Sequence, residues 1–261
     1  MKLGMSTLVE FDSLEENIEL CERIGLNFIE LNMDLPYCFP DRINWEKFNQ
    51  CKNIELTVHL SETLEIGDIN EEARKQQIAL IKQQILIFKH KANIKKYNLH
   101  LNKGVYFTLP DKKLYIYEKY ENDYLKSIEN SFKELSEFAV EQSVSICFEN
   151  VRTTPSIIKA FKKIVKYPNL YYTLDVGHDM KNGGEAGKLF MENPSQIKHM
   201  HIHDFDGKTD HAELGIGKLD VKKYLDFCKD NNIYAVIEVK REKELENSIY
   251  YINNDFKYKV V

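Results

Sequence analysis

The sequence predicts an α/β protein of the (β/α)8 barrel class, in one domain that covers residues 1–261. Three observations lead to this prediction. Eight short strand-like segments alternate with helix-like segments along the whole chain, which is typical of a parallel sheet. The length of 261 residues is close to the roughly 250 that such a barrel takes. Metal-binding residue types end six consecutive strand segments, as expected where strand ends meet at one rim.

The predicted strands are short apolar or alternating runs bounded by turn residues. A doubly wound open sheet is the alternative arrangement of the same elements, since it too alternates strands with helices. No linker, low-complexity tract or internal repeat marks a second domain. In chain order the predicted strands are Lys2–Val9, Asn27–Asn32, Ile54–His59, Tyr97–Leu101, Val144–Asn150, Leu170–Val176, His199–His203 and Tyr234–Val239.

Helix-like segments separate these strands. Leu14–Ile24 is amphipathic and stops at Gly25, a residue that commonly ends helices. Glu71–Lys91 places apolar residues near the spacing of a buried helical stripe. Pro155–Val165 begins at a proline, which is favourable in a first turn. The remaining predicted helices are Trp45–Cys51, Asn122–Gln142, Gly187–Glu192, Val221–Asn231 and Glu242–Ile252.

The segment Val105–Tyr117 interrupts the alternation after the fourth strand. Two β-prone runs flank a Pro-Asp-Lys-Lys turn, which predicts an inserted hairpin on the face where strand ends meet. Its Tyr106 and Phe107 are predicted to cover a substrate or to form a subunit contact. Trp45, in the aromatic loop after the second strand, is predicted to form the opposite wall. Packing over the barrel rim is the alternative role for both loops.

Composition excludes several classes of protein. The five cysteines are scattered without a C-x-x-C pair, which argues against a disulfide framework and against a cysteine zinc site. A formal net charge of −5 does not favour a polyanionic partner, so nucleic acid is not the expected substrate. No apolar run approaches the roughly 20 residues that cross a bilayer. The chain starts Met-Lys-Leu-Gly and enters a strand directly, so we expect a cytoplasmic protein, either a monomer or a homo-oligomer.

Residues that can bind a metal stand where successive strands end, and half of the eight histidines lie between Lys198 and Gly217. Glu149 and Glu238 occur inside otherwise apolar strands, ICFEN and AVIEV. Because a buried carboxylate without a partner is costly, a bound cation is the natural explanation. Ion pairs with lysine are the alternative. The residues at the strand ends are His59, His100, Glu149, Asp175 with His178 just beyond it, His201 and Glu238.

The four central residues predict a metal site that is rich in oxygen and has one imidazole. Glu149, Asp175, His201 and Glu238 together suit Mn²⁺, Mg²⁺, Co²⁺ or Zn²⁺. Additional ligands from further histidines would make zinc the favoured ion. His199 and His203 share a strand face with His201, and we expect them to be structural, with His203 in a supporting role.

The order and spacing of these segments resemble the xylose isomerase-like TIM barrel family, which includes sugar-phosphate isomerases and epimerases and the endonuclease IV type of apurinic endonuclease. The resemblance covers nearly the whole chain through TVHL, NLHLNKG, ICFENV, LDVGH, HMHIHD, HAELGIGKLD and AVIEV. In the epimerases it implies that a single metal is held by Glu149, Asp175, His201 and Glu238. It also implies that His178 contacts the substrate.

In the endonuclease branch the resemblance implies three zinc ions. Their further ligands would be His59, His100, His178, His211 and one more aspartate, which normally stands two positions before His211. That position is Thr209 here, and Asp210 is displaced by one. The departure puts the third metal in doubt, although Asp210 could take the missing role.

Two functions follow from these residues. The first is a metal-dependent sugar or keto-sugar isomerase or epimerase, in which Glu149 and Glu238 remove and return a proton and His178 holds a substrate hydroxyl. The alternative is hydrolysis of a phosphodiester or a small phosphate ester. The His-rich rim favours hydrolysis, whereas the acidic balance and Thr209 argue against a DNA substrate. A barrel that has lost catalysis and only binds a small molecule is a third interpretation. The complete set of metal-binding residues argues against it.

Overall fold

A closed barrel of eight parallel strands forms the centre of the computed structural model, which describes residues 1–51 and 53–256. Going round the barrel the order is β1-β10-β9-β8-β7-β4-β3-β2, and β1 closes the ring by pairing with both β10 and β2. The predicted (β/α)8 barrel is therefore confirmed. The strands are β1 (Lys2–Ser6), β2 (Phe28–Asn32), β3 (Glu55–His59), β4 (Lys96–His100), β5 (Tyr106–Thr108), β6 (Lys113–Tyr115), β7 (Ser145–Glu149), β8 (Leu170–Asp175), β9 (Ile197–Ile202) and β10 (Tyr234–Ile237).

Each predicted helix is present, with boundaries that differ by a few residues. A helix that the sequence analysis missed, Val176–Lys181, follows β8 directly, because the Asp175 side chain accepts the His178 backbone N–H and caps its first turn. The helices are α1 (Leu14–Arg23), α2 (Trp45–Phe48), α3 (Glu71–Ala92), α4 (Ile116–Lys119), α5 (Glu121–Gln142), α6 (Pro155–Ile164), α7 (Val176–Lys181), α8 (Glu185–Met191), α9 (Val221–Asp230) and α10 (Glu242–Phe256).

The helices bury their apolar stripes against the outside of the barrel. In α3 the residues at helical spacing, Ile78, Ile81, Ile85 and Phe88, are all at most 1% exposed. Asn70 caps the start of this helix by accepting the backbone N–H groups of the first turn. No described helix is both long enough and apolar enough to cross a lipid bilayer.

Strand register aligns the polar strand ends at one level of the barrel. His100 on β4 pairs with Glu149 on β7, and Asp175 on β8 pairs with His201 on β9. Glu238 directly follows the last residue of β10 and donates its backbone N–H to the Ile202 carbonyl. Parallel strands end on the same face, so this register carries all of these side chains to the carboxyl rim.

The predicted inserted hairpin is confirmed as the antiparallel pair β5–β6. Tyr106 pairs with Tyr115, and the turn is closed by the Leu109 N–H, which donates to the Lys112 carbonyl. Tyr117 was assigned to the hairpin by sequence but lies in α4, where its ring is buried. Tyr106 and Phe107 are 46% and 60% exposed on this hairpin.

The buried carboxylate of Asp204 organises the loop of residues 205–219. It accepts four backbone N–H groups, from Phe205 at 2.9 Å, Gly215 at 3.1 Å, Gly217 at 2.9 Å and Leu219 at 3.1 Å. A Cβ atom at Gly217 would come within 2.1 Å of the Asp204 Oδ1 atom, so only glycine permits this approach. This loop carries Asp210 and His211, the two candidate metal ligands of the His-rich segment that lie outside β9.

Replacing Asp204 should destabilise the protein, because four backbone donors would lose their acceptor. In Asp204→Ala we expect the free energy of unfolding to fall by about 3 kcal/mol, since each unsatisfied buried donor costs roughly 1–3 kcal/mol. Urea unfolding followed by circular dichroism measures this change. Asp206→Ala is the control, because that exposed carboxylate in the same loop accepts only from Lys208 and Thr209. Equal losses in the two variants would contradict the assigned role of Asp204.

The stability of the fold should also depend on pH through Glu65, in the loop after β3. Burial raises the pKa of Glu65 to about 7, and the negative charge of Asp68 adds to this shift. The folded protein therefore binds this proton more tightly than the unfolded chain, whose ordinary pKa is 4.5. The stabilisation that the protonated Glu65 side chain gives to the folded state is full below pH 4.5 and is lost as the pH rises to about 7.

Accordingly, Glu65→Gln should be more stable relative to the wild type at pH 8 than at pH 5. Chemical unfolding at the two pH values measures the difference. Glu62→Gln, three residues earlier and exposed, should show the same stability difference from the wild type at both values. A Glu65→Gln effect that does not change with pH would show that Glu65 stays ionised throughout.

Candidate metal centre

Four side chains from consecutive barrel strands converge on one buried point. They are Glu149, Asp175, His201 and Glu238, and one ligand atom from each lies within 4.8 Å of the others. The His201 Nδ1 atom is 3.2 Å from Glu149 Oε2, 3.1 Å from Glu238 Oε2 and 3.8 Å from Asp175 Oδ2. We call this set the central cluster. The structure thus brings together the four residues that the sequence analysis assigned to one metal.

Three of the converging atoms lie close together but make no hydrogen bond of acceptable geometry with any described residue. They are Asp175 Oδ2, His201 Nδ1 and Glu238 Oε2, all of them buried. Leaving a buried polar atom without a partner costs about 1–3 kcal/mol, and more when the group is charged. One divalent cation would satisfy all three atoms, and oxygen-rich sets with an imidazole suit such ions. The cluster is therefore able to hold a metal ion.

Surrounding residues hold two of the carboxylates in this orientation. The Asn98 side-chain amide donates to Glu149 Oε2, and its carbonyl accepts from Thr173 Oγ1 at 2.6 Å. Asp175 Oδ1 accepts the His178 backbone N–H at 2.6 Å and lies 3.1 Å from His203 Nε2. These contacts occupy one oxygen of Asp175 and leave the other directed at the central cluster.

Glu30 is a central residue that the sequence analysis missed. Its two oxygens lie 2.8 Å from His201 Nε2 and 2.7 Å from His199 Nε2, and it is 1% exposed. The contact fixes the His201 ring so that its other nitrogen faces the carboxylates, as carboxylate–histidine pairs do at metal sites. The signal was available in the sequence, because Glu30 stands inside the apolar strand FIELN as Glu149 stands inside ICFEN.

The charges of these buried groups are set by their neighbours. Burial alone would raise the pKa of the Glu149 and Glu238 carboxyls, but His201, together with His100 or Lys240, holds both pKa values well below their usual range. Burial would lower the pKa of His201, and the surrounding carboxylates raise it well above normal. His199 differs, since burial lowers its pKa to about 4 despite the contact with Glu30.

Two histidines extend the central cluster on the side of Glu149. His59 Nε2 and His100 Nε2 are 3.0 Å apart, and they lie 3.2 and 3.4 Å from Glu149 Oε2. The His59 Nδ1–H donates to the Leu60 carbonyl at 2.9 Å. Burial would lower the pKa of His59, but the Glu149 carboxylate raises it to about 9. The three residues form a second group that could hold an ion.

A third group lies around the residues of loop 205–219. His178, His203, Asp210 and His211 each place a ligand atom within 4.8 Å of the others. Asp210 Oδ1 is 3.6 Å from His178 Nδ1, and its second oxygen accepts from Lys181 at 2.6 Å. The Thr209 hydroxyl donates instead to Asp206. Displacement of the aspartate by one position therefore does not remove a carboxylate from this group.

Trp45, which the sequence analysis predicted to form a wall beside the substrate, is nearly buried in the structure. This residue is 9% exposed, and its indole packs against Phe48 and against Phe88 near the end of α3. Its N–H donates to the Pro40 carbonyl at 2.7 Å. The ring thus packs where α2 meets α3, whereas the alternative expected from the sequence was packing over the barrel rim. Tyr106 lines a cavity beside the hairpin, and Phe107 is exposed on the same hairpin.

Comparison with known proteins agrees with this architecture. A family model described as xylose isomerase-like TIM barrel matches residues 18–254. An uncharacterized protein of Methanocaldococcus jannaschii is 27% identical over 250 residues, which cover 93% of each chain. A crystal structure of a D-tagatose 3-epimerase-like protein superposes with a TM-score of 0.75 at 22% identity, covering 98% of this chain and 100% of that one.

A second solved structure, the IOLI protein with a bound zinc atom, superposes with a TM-score of 0.74 at 20% identity over 100% of this chain and 98% of its own. At these identities the structural matches show the shared fold. The family model spans most of the sequence and all eight barrel strands except β1. The chain belongs to the xylose isomerase-like TIM barrel family.

Proposed function

We propose that this protein is a metal-dependent sugar isomerase or epimerase that transfers a proton at a carbon next to a carbonyl group. The observation that carries the proposal is the pair of buried carboxylates, Glu149 and Glu238, which both direct an oxygen to His201 Nδ1 at 3.2 and 3.1 Å. Similarity to a D-tagatose 3-epimerase-like protein supports a sugar substrate.

Glu149, Asp175, His201 and Glu238 would hold the metal, for which Zn²⁺ and Mn²⁺ suit the donor set. When bound, such an ion supplies Lewis-acid stabilisation of negative charge on neighbouring substrate oxygens. Similarity to the zinc-containing IOLI structure supports zinc as one candidate. The three unpartnered atoms of the central cluster are the structural basis of this assignment.

The two glutamates are suited to accept and return a proton. Their low pKa values keep both carboxylates ionised near neutral pH, so either can accept a proton from a substrate carbon. Glu238 is oriented by Lys240, whose ammonium donates to Glu238 Oε1 at 2.8 Å. One carboxylate would take the proton from the substrate carbon, and the electron pair of that C–H bond would move onto the carbonyl oxygen. The other glutamate, after taking up a proton from solvent, would protonate the resulting enediolate, and the first would then release its proton to solvent.

His178 would orient a substrate hydroxyl at the edge of the central cluster. Its backbone is fixed by Asp175, while its ring lies 5.1 Å, centroid to centroid, from each of the His203 and His211 rings. The ring is only slightly exposed, which limits access of bulk water to the reacting carbon. Different residues would therefore transfer the proton and orient the substrate.

Hydrolysis of a phosphate ester is the second candidate, and a specific observation favours it. The groups around His59 and around His211 could each hold a further ion, and several metal ions together can activate water and stabilise a leaving oxygen. A metal count separates the two candidates, since an epimerase needs the central cluster alone.

Exchange of substrate protons with solvent tests the proposed reaction. In D₂O the metal-loaded protein should introduce deuterium next to the carbonyl carbon in at least one member of a ketose panel, which NMR detects. We expect Glu149→Gln and Glu238→Gln to lower the exchange rate about 10² to 10⁴-fold, because each removes a proton acceptor. Glu72→Gln, an exposed change on α3, should leave the rate unaltered.

Two results would contradict the proposed isomerase or epimerase function. Cleavage of a phosphodiester or nicking of abasic DNA, with no deuterium incorporation into any ketose, would establish the hydrolase. Retention of full exchange activity in both glutamine variants would show that the carboxylates are not the proton carriers.

Removal of metal should lower thermal stability. An ion present at 100 times its dissociation constant adds about 2.7 kcal/mol, which corresponds to a change in Tm of about 5 to 10 °C for a chain of this length. Chelation with EDTA should therefore lower Tm by that amount, and zinc or manganese should restore it. In His201→Gln the response should disappear, whereas in His90→Gln, an exposed histidine on α3, it should persist. An EDTA-insensitive Tm in metal-loaded wild type would contradict the metal site.

A further inference from the structure

A large cavity lies between the β5–β6 hairpin and the loops that follow β3, β4 and β7. Its volume is about 680 Å³. Aromatic rings of the hairpin and of α4 form one wall, and two cationic side chains stand in the lining. The lining includes Lys103, Gly104, Tyr106, Tyr115, Tyr117 and Arg152.

Both cationic residues stand shortly after residues of the candidate metal centre in the sequence. Lys103 is three residues after His100, and Arg152 is three residues after Glu149. His100 Nε2 and Glu149 Oε2 are themselves 3.4 Å apart. Three residues of extended chain span at most about 10 Å, so the cavity opens within reach of a substrate held at the central cluster.

Neither cation has an ion-pair partner among the described residues, since no carboxylate lies within 4 Å of either one. Lys103 is partly buried, and its pKa is lowered by that burial and then by the positive charge of Arg152. Two neighbouring positive charges without a carboxylate partner favour the binding of an anion.

The two acids that also line the cavity do not neutralise these cations. Glu65 uses its carboxylate to accept the Gly67 backbone N–H at 3.2 Å, and the pKa of Glu65 responds to Asp68 and Tyr117. Nearby aromatic surface, including the Tyr115 ring 5.8 Å from Lys103 Nζ, reduces the water around Lys103. Charge interactions are stronger where water is partly excluded.

We propose that this cavity binds an anionic group, a phosphate or a carboxylate, on the part of the substrate remote from the reacting carbon. Lys103 and Arg152 are the residues that bind it. The inference rests on the proposed function, and it narrows the substrate class from sugars in general to sugars that carry a negative charge.

Calorimetric titration of the metal-loaded protein tests this subsite without requiring turnover. The probes are D-fructose, D-fructose 6-phosphate and D-glucuronate, so that a neutral sugar is compared with a phosphate and with a carboxylate. At least one anionic probe should bind on the order of tenfold or more tighter than fructose. In Lys103→Met and in Arg152→Met its Kd should rise on the order of tenfold, with fructose binding unchanged.

Lys112→Met is the matched control, because it removes a positive charge from the hairpin turn without altering the cavity lining. Its Kd for the anionic probes should equal that of the wild type. Equal binding of neutral and anionic sugars by the wild type would overturn the proposal. So would anionic binding that survives in both cavity variants, or a Lys112→Met loss as large as theirs.

The deuterium exchange assay separates this inference from the proposed function. Charge-dependent binding with no exchange in any sugar would leave the anionic subsite standing and remove the isomerase assignment. Exchange in neutral ketoses, with no effect of Lys103→Met or Arg152→Met on binding of charged ones, would keep the isomerase and remove the subsite.

Discussion

Repulsion among three carboxylates buried around one imidazole is the constraint on which the rest of this site depends. Glu149, Asp175 and Glu238 all direct oxygens toward His201 Nδ1 in the barrel interior. Burying charge is costly, and breaking a buried set by removing one partner costs several kcal/mol. Such an arrangement persists only if positive charge lies at its centre or close around it, and a divalent ion meets that need with the fewest atoms.

The residues around the central cluster assign each ligand atom its direction. Glu30 occupies one nitrogen of His201, Asn98 contacts Glu149, and His203 shares one oxygen of Asp175 with a backbone N–H. The contacts of Glu30 and His203 are made by atoms that face away from the cluster, whereas Asn98 contacts the Glu149 oxygen that also faces His201. The protein itself therefore orients these side chains, as neighbours of metal-binding residues do.

The barrel separates structural from chemical roles along its axis. Apolar stripes of the helices hold the cylinder together, while the carboxyl rim collects polar groups from different strands. Loop 205–219 illustrates how the rim is built, since the buried Asp204 carboxylate fixes a long loop through four backbone donors and thereby places His211 beside His178. The hairpin, packed on the same rim, adds a wall without disturbing the strand order.

The sequence by itself determined the barrel, and it singled out the four residues that meet in the central cluster. Strands β1 to β10 could be located because apolar runs alternate with helical stripes, and Glu149 and Glu238 stood out because carboxylates are rare in such runs. The predicted strands that end at Asn150, Val176 and His203 each run one residue past the end of the observed strand, and Val176 is already the first residue of α7.

Only the tertiary structure decided which atoms meet. His199 and His201 share a strand face, but Glu30, from a strand on the other side of β1 and β10, determines which ring nitrogen of His201 is turned toward the carboxylates. Likewise, the sequence shows that Trp45 is a large aromatic residue, but only the fold shows that its ring packs among helices. The burial of a side chain depends on which other residues surround it in space. Periodicity along a chain reports which face a residue occupies, whereas partners on that face come from strands far away in sequence.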